Sequence, residues 1–200
     1  DLTRERREAL VKPRGQPARQ LNMLDAALPR DGMVDAREAG GVTMLMANLT
    51  VTPERQARVD FTNPIAVAIR EVLVTGPSAP PIAALDDLAE IALHLRPSSS
   101  YFEHMTVLNA ARVAAGAAPI QVKPMDENME DGDVLELVGA GALPAAIIDA
   151  HMAGLYAQII EGLTVHDDLA THEGGEIAWA LRKNSPELMA ALNVFMKSAK

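Results

Sequence analysis

The stretch that decides the fold is residues 46–64, Met-Ala-Asn-Leu-Thr-Val-Thr-Pro-Glu-Arg-Gln-Ala-Arg-Val-Asp-Phe-Thr-Asn-Pro. It opens within an apolar run, Val42–Val51, that is rich in Val, Met, Leu and Thr, which predicts a buried strand. Thr52 then precedes a proline and an acidic residue, the common start of an α-helix. The sequence therefore predicts a strand that leads directly into a helix.

Polar side chains interrupt this apolar strand at a spacing of two. Asn48 and Thr50 are predicted to lie on one face, and Arg55 in the first turn of the helix is close enough to point back at it. An amide, a hydroxyl and a guanidinium beside a helix N-terminus suit a ligand carboxylate. The alternative is that Asn48 and Thr50 only end the strand, and that Arg55 pairs with Glu54 or Asp60.

Strands and helices alternate along the rest of the chain, which predicts an α/β fold with mostly parallel sheets. Gly76–Pro81 is the clearest linker, and Thr171–Gly175 is predicted to be a second loop. Ser100 and Glu103 have the spacing of a capping box, so a helix is expected there. Asp149 follows an apolar strand and opens a helix, either as a plain N-cap or as a buried acid that needs a partner.

The composition is that of an ordinary globular protein, with 48% hydrophobic and 22% charged residues. A net charge of −9 argues against a general nucleic-acid binder. We expect no membrane span, because no apolar stretch continues for the ~20 residues that a span needs. Residues 1–7 have no apolar signal-peptide core, so the chain is either cytoplasmic or the mature form of an exported protein. The absence of cysteine excludes disulfides and thiolate metal sites.

No motif in the sequence indicates an enzyme. A Gly-x-Ser-x-Gly elbow, a phosphate loop and a Gly-x-Gly-x-x-Gly loop after a strand are all missing. His166-Asp167-Asp168 has the chemistry of a divalent-ion site, but an exposed acidic turn is the favoured interpretation. We therefore predict no catalytic residue, no cofactor and no metal site.

Residues 46–64 resemble the signature of the family-3 extracellular solute-binding proteins, whose members carry Leu-Thr-Ile-Thr-x-Glu-Arg ahead of Asp-Phe-Ser/Thr-x-Pro. More closely, the whole chain looks like the solute-binding module of the membrane-bound lytic transglycosylase F family. The resemblance covers residues 20–197, and its further pieces occur in the expected order. They are Leu-Arg-Pro-Ser-Ser-Ser-Tyr at 95–101, Asp-Glu-Asn at 126–128 with Leu-Glu-Leu-Val at 135–138, and Gly-Gly-Glu-Ile-Ala-Trp-Ala at 174–180.

The resemblance implies an α/β, two-lobed periplasmic-binding-protein fold of the type II, Venus-flytrap kind, with the ligand between the lobes. Residues 1–75 with 172–200 would form lobe 1, and residues 76–171 would form lobe 2. The chain departs from the family pattern by starting inside the first helix, so we expect the first strand to be missing. A transglycosylase catalytic domain would lie beyond Lys200, so we predict that this chain is not an enzyme.

Six positions match the ligand-binding positions of the family's amino-acid-binding members. In those members three of them grip the ligand carboxylate, two donate from lobe 2 and one takes the ammonium. In this order they are Asn48, Thr50 and Arg55, then Ser99 and Ser100, then Asp149.

The resemblance implies capture of an amino acid or small peptide-like ligand, for transport or as the sensing module of a cell-wall enzyme. The expected partners are that ligand and a membrane permease or a cell-wall enzyme domain, not nucleic acid, and the expected location is periplasmic. One alternative is a regulatory or interaction module without small-molecule binding, which accompanies a lytic transglycosylase or a sensor. Another alternative is a dehydratase- or lyase-type reaction, which needs an acid or a base in the cleft besides Asp149. Glu103 and His104 are the candidates nearest in sequence to the lobe 2 site.

Overall fold

A computed structural model describes residues 44–198 of the chain. The predicted absence of the first strand concerns residues outside that range. The elements that we number, in chain order, are β1 (Met44–Thr50), α1 (Pro53–Arg58), β2 (Val59–Phe61), β3 (Ala66–Thr75), a 3₁₀ helix (Leu85–Glu90), β4 (Ala92–Leu95), α2 (Ser100–Ala114), β5 (Gln121–Pro124), α3 (Asp131–Gly139), β6 (Ala145–Asp149), α4 (Ala150–Tyr156), β7 (Thr164–Arg182) and α5 (Pro186–Ser198).

The long strand β7 organises the main sheet. It pairs antiparallel with β1, β2 and β3, and β3 in turn pairs antiparallel with β6. A parallel pair, β4 with β5, stands apart from this sheet. The prediction of mostly parallel sheets is therefore wrong for the described part of the chain. The reason is that β7 returns the chain past β3 in the opposite direction, and two adjacent strands of opposite direction pair only as an antiparallel ladder.

Strands β3 and β7 run side by side across the sheet with interruptions in their register. Ala66 faces Ile177 and Ile69 faces Gly175, whereas Glu71 faces His172, so each strand carries extra residues next to the Ile69–Gly175 pair. Ala68 has a φ of 56° and Gly174 a φ of 78°. Residues 171–175, predicted as a loop, thus lie inside β7, because their backbone pairs with β3 and the bend is absorbed within the strand.

The described residues form two apolar clusters. The larger one is built on Val72–Val74 and on β6, and it includes buried residues of β4, α2 and α3. The smaller one joins β1, β2 and β7 through Leu45, Leu49, Val59 and Ala180. None of the helices in residues 44–198 has the length and apolar character needed to cross a membrane.

Gly76 leaves β3 in close contact with α3. Its N–H donates to the carbonyl oxygen of Pro144 at 3.0 Å. A Cβ atom at this position would lie only 2.0 Å from the carbonyl oxygen of Val138. Only glycine therefore fits here, and the predicted linker Gly76–Pro81 begins packed against the larger cluster rather than free of it.

Candidate functional site

The first turn of α1 fixes the position of Arg55. Thr52 is the N-cap, its Oγ1 accepts from the backbone N–H of Arg55 at 3.3 Å, and proline stands at the first helical position. The predicted helix start is confirmed. The N-cap and the proline restrict the backbone of this first turn, so the side chain of Arg55 leaves the helix in a defined direction.

The guanidinium of Arg55 is buried where β1 and α1 meet α2. Its side chain is 4% exposed, and its Nη1 donates to the Thr50 carbonyl oxygen at 3.0 Å. Nη2 donates to the carbonyl oxygen of Ser98 at 2.9 Å, just before α2. Its Nε lies 3.8 Å from Glu103 Oε1 on α2, while Asp60, one of the partners in the alternative interpretation, lies near Lys183.

Helix α2 begins at Ser100, with Ser99 as its N-cap. The hydroxyl of Ser99 accepts from the Phe102 N–H at 3.2 Å and donates to the Arg96 carbonyl oxygen at 2.8 Å. The predicted capping box of Ser100 with Glu103 is therefore wrong by one residue, because the residue with extended backbone and the capping hydroxyl is Ser99. Glu103 is left to turn towards Arg55.

Ser100 reaches from α2 to the end of β1. Its Oγ donates to Thr50 Oγ1 at 3.2 Å, and both residues are 4% exposed. Thr50, Arg55 and Ser100 are thus brought together, with Ser99 beside them on the same turn. Asn48, two residues before Thr50, is exposed on β1.

Asp149 ends β6 on the other side of α2. It stands at the N-cap position of α4, but its side chain makes no capping hydrogen bond there. It is 7% exposed, and its backbone N–H donates to Tyr101 Oη at 3.3 Å. Tyr101 in turn donates to Asp131 Oδ2 at 3.5 Å, and Asp131 accepts from buried Arg96 at 2.7 Å. This chain of contacts fixes the orientation of the first turn of α2 against β6.

A buried acid that is not among the predicted site residues lies next to Asp149. Glu71 on β3 is 1% exposed, and it faces Asp149 on one side of the ladder and His172 on the other. Its Oε1 lies 2.8 Å from His104 Nδ1, and its Oε2 is buried with no hydrogen-bond partner among the described residues. The signal that could have found it is a lone carboxylate directly before the apolar residues that end β3.

Two histidine rings stack over this acid. The ring centroids of His104 and His172 are 3.6 Å apart, with 12° between their planes. Partial burial lowers the pKa of His172, the neighbouring His104 lowers it further, and Glu71 raises it in part. The residues considered for a lyase-type reaction are thus both engaged, Glu103 with Arg55 and His104 with Glu71.

The lowered pKa of His172 predicts a loss of stability on mild acidification. Below the ordinary value of 6.5, the unfolded chain binds a proton at this residue before the folded chain does, so protons favour unfolding. We expect the thermal midpoint to fall as the pH decreases from 6.5, and the His172→Gln variant to show a shallower fall over the same range. Differential scanning fluorimetry against pH measures both curves.

The exposed His151 on α4 supplies the control for that experiment. The His151→Gln variant removes one imidazole without touching the stacked pair, so its pH curve should follow the wild type. If His172→Gln retains the full wild-type slope while His151→Gln changes it, the stacked pair is not the source of the acid sensitivity.

Within residues 44–198, no group of three or more His, Asp or Glu side chains is arranged to hold a metal ion. The polar groups around Arg55 are instead hydroxyls, carbonyl oxygens and one carboxylate. Their chemistry suits an organic anion at the guanidinium.

Comparison with known proteins identifies the family and the fold of the chain. The family model of the bacterial extracellular solute-binding proteins, family 3, matches residues 20–200. No curated protein sequence is a significant match to the chain.

Three solved structures illustrate the structural likeness. An ancestral arginine-binding protein bound to arginine is 23% identical with a TM-score of 0.69, over 86% of this chain and 71% of that one. The substrate-binding protein of an amino acid ABC transporter is 22% identical with a TM-score of 0.68, over 85% and 70%. The arginine-bound, truncated ArgBP of T. maritima is 17% identical with a TM-score of 0.68, over 86% and 75%. At these identities the likeness establishes the fold, and the predicted α/β periplasmic-binding-protein fold is confirmed.

Proposed function

The chain belongs to family 3 of the bacterial extracellular solute-binding proteins, and from this premise we propose that it binds an amino acid or a small peptide-like ligand through a carboxylate at Arg55. The observation that carries the proposal is the buried guanidinium at the junction of β1, α1 and α2. A planar cation with its donors fixed in this way is suited to a carboxylate, which it can bind with two parallel hydrogen bonds.

We propose the two-lobe division predicted from the sequence, with residues 1–75 and 172–200 in lobe 1 and residues 76–171 in lobe 2. Its support is the pair of separate apolar clusters and the hydrogen bond from the Asn63 N–H to Asn193 on α5 at 2.7 Å. One refinement follows from the pairing of β3 residues 71–75 with β6. We place the crossing between lobes at residues 68–70 of β3 and 173–175 of β7.

In this arrangement the site residues face each other across the division. Thr50 and Arg55 grip the ligand carboxylate from lobe 1, with Asn48 at the mouth of the site. Ser99 and Ser100 contribute hydroxyl and backbone groups from the N-cap and the first turn of α2. Asp149, which is 7% exposed, receives the ligand ammonium, as the acid at the matching position does in the family's amino-acid-binding members.

The relatives suggest what the bound ligand is for. One similar structure is the substrate-binding protein of an amino acid ABC transporter. We propose by analogy that this chain works in the periplasm and delivers its ligand to a membrane permease. The second role, as the sensing module of a cell-wall enzyme, rests only on the sequence resemblance to the lytic transglycosylase F family.

A ligand panel tests the proposal. Amino acids and muropeptides are screened by thermal shift, and positive compounds are titrated by calorimetry. A ligand that binds only the folded state at about 100 times its Kd adds ~2.7 kcal/mol of stability, so a true ligand raises the midpoint clearly. A folded protein that no member of the panel stabilises would contradict the proposal.

The regulatory module without small-molecule binding remains the second candidate. The observation that favours it is that Arg55 already contacts Ser98 and Glu103 of the same chain. The two candidates differ in the same panel, because only a binding protein gains stability from a ligand.

A further inference from the structure

We propose that Glu103 is an internal counter-ion of Arg55, which holds the ligand-free protein closed and which a ligand carboxylate must displace. The displacement step rests on the proposed function, since it takes Arg55 as the carboxylate site. The closure step does not depend on that carboxylate site and rests only on the proposed two-lobe division, because it concerns contacts within the chain.

The contacts of Arg55 divide between two parts of the fold. On its own side it donates to the Thr50 carbonyl oxygen at 3.0 Å. On the other side it donates to the Ser98 carbonyl oxygen at 2.9 Å and lies 3.8 Å from the Glu103 carboxylate. The Ser100 hydroxyl bridges the same gap to Thr50 at 3.2 Å. One turn of α2 is therefore attached to β1 and α1 by hydrogen bonds and by an ion pair.

The Arg55–Glu103 ion pair lies in a partly buried position, where its electrostatic attraction is strong. The side chains of Arg55 and Glu103 are 4% and 18% exposed, so the pair is shielded from solvent far more than a surface salt bridge. The edge of the guanidinium that carries Nε faces Glu103, and that edge forms part of the fork that a bidentate carboxylate uses. A ligand carboxylate bound there would meet the negative charge of Glu103, and like charges this close repel.

The neighbouring residue on α2 shows how the contact can open. His104 is hydrogen-bonded to Glu71 at 2.8 Å, and Glu71 belongs to the part of β3 that pairs with β6. The first turn of α2 is thus anchored to β3 and β6. When the contacts to Arg55 and Thr50 break, Ser98, Ser100 and Glu103 move away together with that anchor, while the His104–Glu71 contact is kept.

A distance measurement in the ligand-free protein tests the closure step. The chain has no cysteine, so Ala157→Cys after α4 and Ala190→Cys on α5, both exposed, accept spin labels at defined places on the two sides. Double electron–electron resonance should give one short distance for the otherwise unchanged protein. Glu103→Gln should shift the distribution to longer distances, because it removes the charge and keeps the side-chain shape.

Glu136→Gln is the matched control, since Glu136 is an exposed glutamate on α3 that changes the net charge equally. Its distance distribution should equal that of the unchanged protein. The closure step is overturned if Glu103→Gln gives the same short distance as the control, or if the unchanged protein is already open.

The displacement step is tested by calorimetry with each compound that the ligand panel identifies. Glu103→Gln should bind about three- to tenfold more tightly than the unchanged protein, since removing a competing ion pair of moderate strength returns that factor. Equal or weaker binding by Glu103→Gln overturns displacement. If neither protein binds any compound, the proposed function and the displacement step both fail, whereas the distance measurement still decides whether Glu103 closes the chain.

Discussion

Replacing Arg55 with alanine should weaken ligand binding by about ten- to a hundredfold. The guanidinium is buried, so its hydrogen bonds to a ligand carboxylate are shielded from water and worth ~1.5–3 kcal/mol, which corresponds to that loss. Arg55→Lys should recover only part of the affinity, because an ammonium keeps the charge but lacks the planar fork. Calorimetry with the best ligand of the panel measures all three proteins.

Arg58→Ala is the matched control for this experiment. It removes an arginine from the last turn of the same helix, three residues beyond Arg55, and should leave the affinity nearly unchanged. The thermal midpoint of each variant is measured as well, because Arg55→Ala also leaves the Glu103 carboxylate without its counter-ion. If folded Arg55→Ala binds the ligand as tightly as the wild type, the carboxylate site has been placed wrongly.

Replacing Gly76 with alanine should cost about 3 kcal/mol of unfolding free energy or more. The new Cβ would stand 2.0 Å from the Val138 carbonyl oxygen. Backbone at the end of a packed helix cannot swing aside as a flexible side chain can, so strand and helix must separate. For a chain of this size the loss corresponds to a fall of ~6–12 °C in the thermal midpoint.

Gly154 offers the opposite result with the same chemical change. It lies within α4, where an added Cβ would have no atom within 4 Å. Alanine there should be neutral or stabilise by up to ~1 kcal/mol, since glycine is the poorer helix former. Equal midpoints for Gly76→Ala and Gly154→Ala would show that the contact with Val138 is not tight.

The parts of the fold that could be predicted are those encoded by neighbours in sequence. The apolar run of β1, the Thr52 cap and the position of Arg55 all depend on residues within one or two turns of each other. The helix start at Ser100 was predicted to within one residue for the same reason. Local patterns indicate which residues share an element, and Thr50 and Arg55 were predicted on this basis, whereas Ser99 and Ser100 were implied by the family resemblance.

What could not be predicted depends on pairings between distant segments. Glu103 meets Arg55 only because α2 packs against the end of β1, and nothing at either position announces the other. In the sequence Glu71 is only one polar residue of a predicted strand. The pairing of β3 with β6 and β7 places it between Asp149 and His172. The length of β7 was not predicted for a related reason. The glycines at 174 and 175 are typical of a loop, and only their pairing with β3 shows that they belong to a strand.

The irregular pairing around Ile69 and Gly175 has a mechanical consequence. β3 carries a surplus residue before that pair, and β7 carries surplus residues after it, opposite the steps from Ile69 to Leu73. Regular pairing of the two strands resumes only at Leu73. Since surplus residues bend and twist a strand pair locally, we expect β3 and β7 to bend between Ala66 and Leu73 rather than along Leu73–Thr75. Ala68 lies in this bent stretch with a φ of 56°, which costs an alanine ~1 kcal/mol or more, so the surrounding packing must hold the backbone in that conformation.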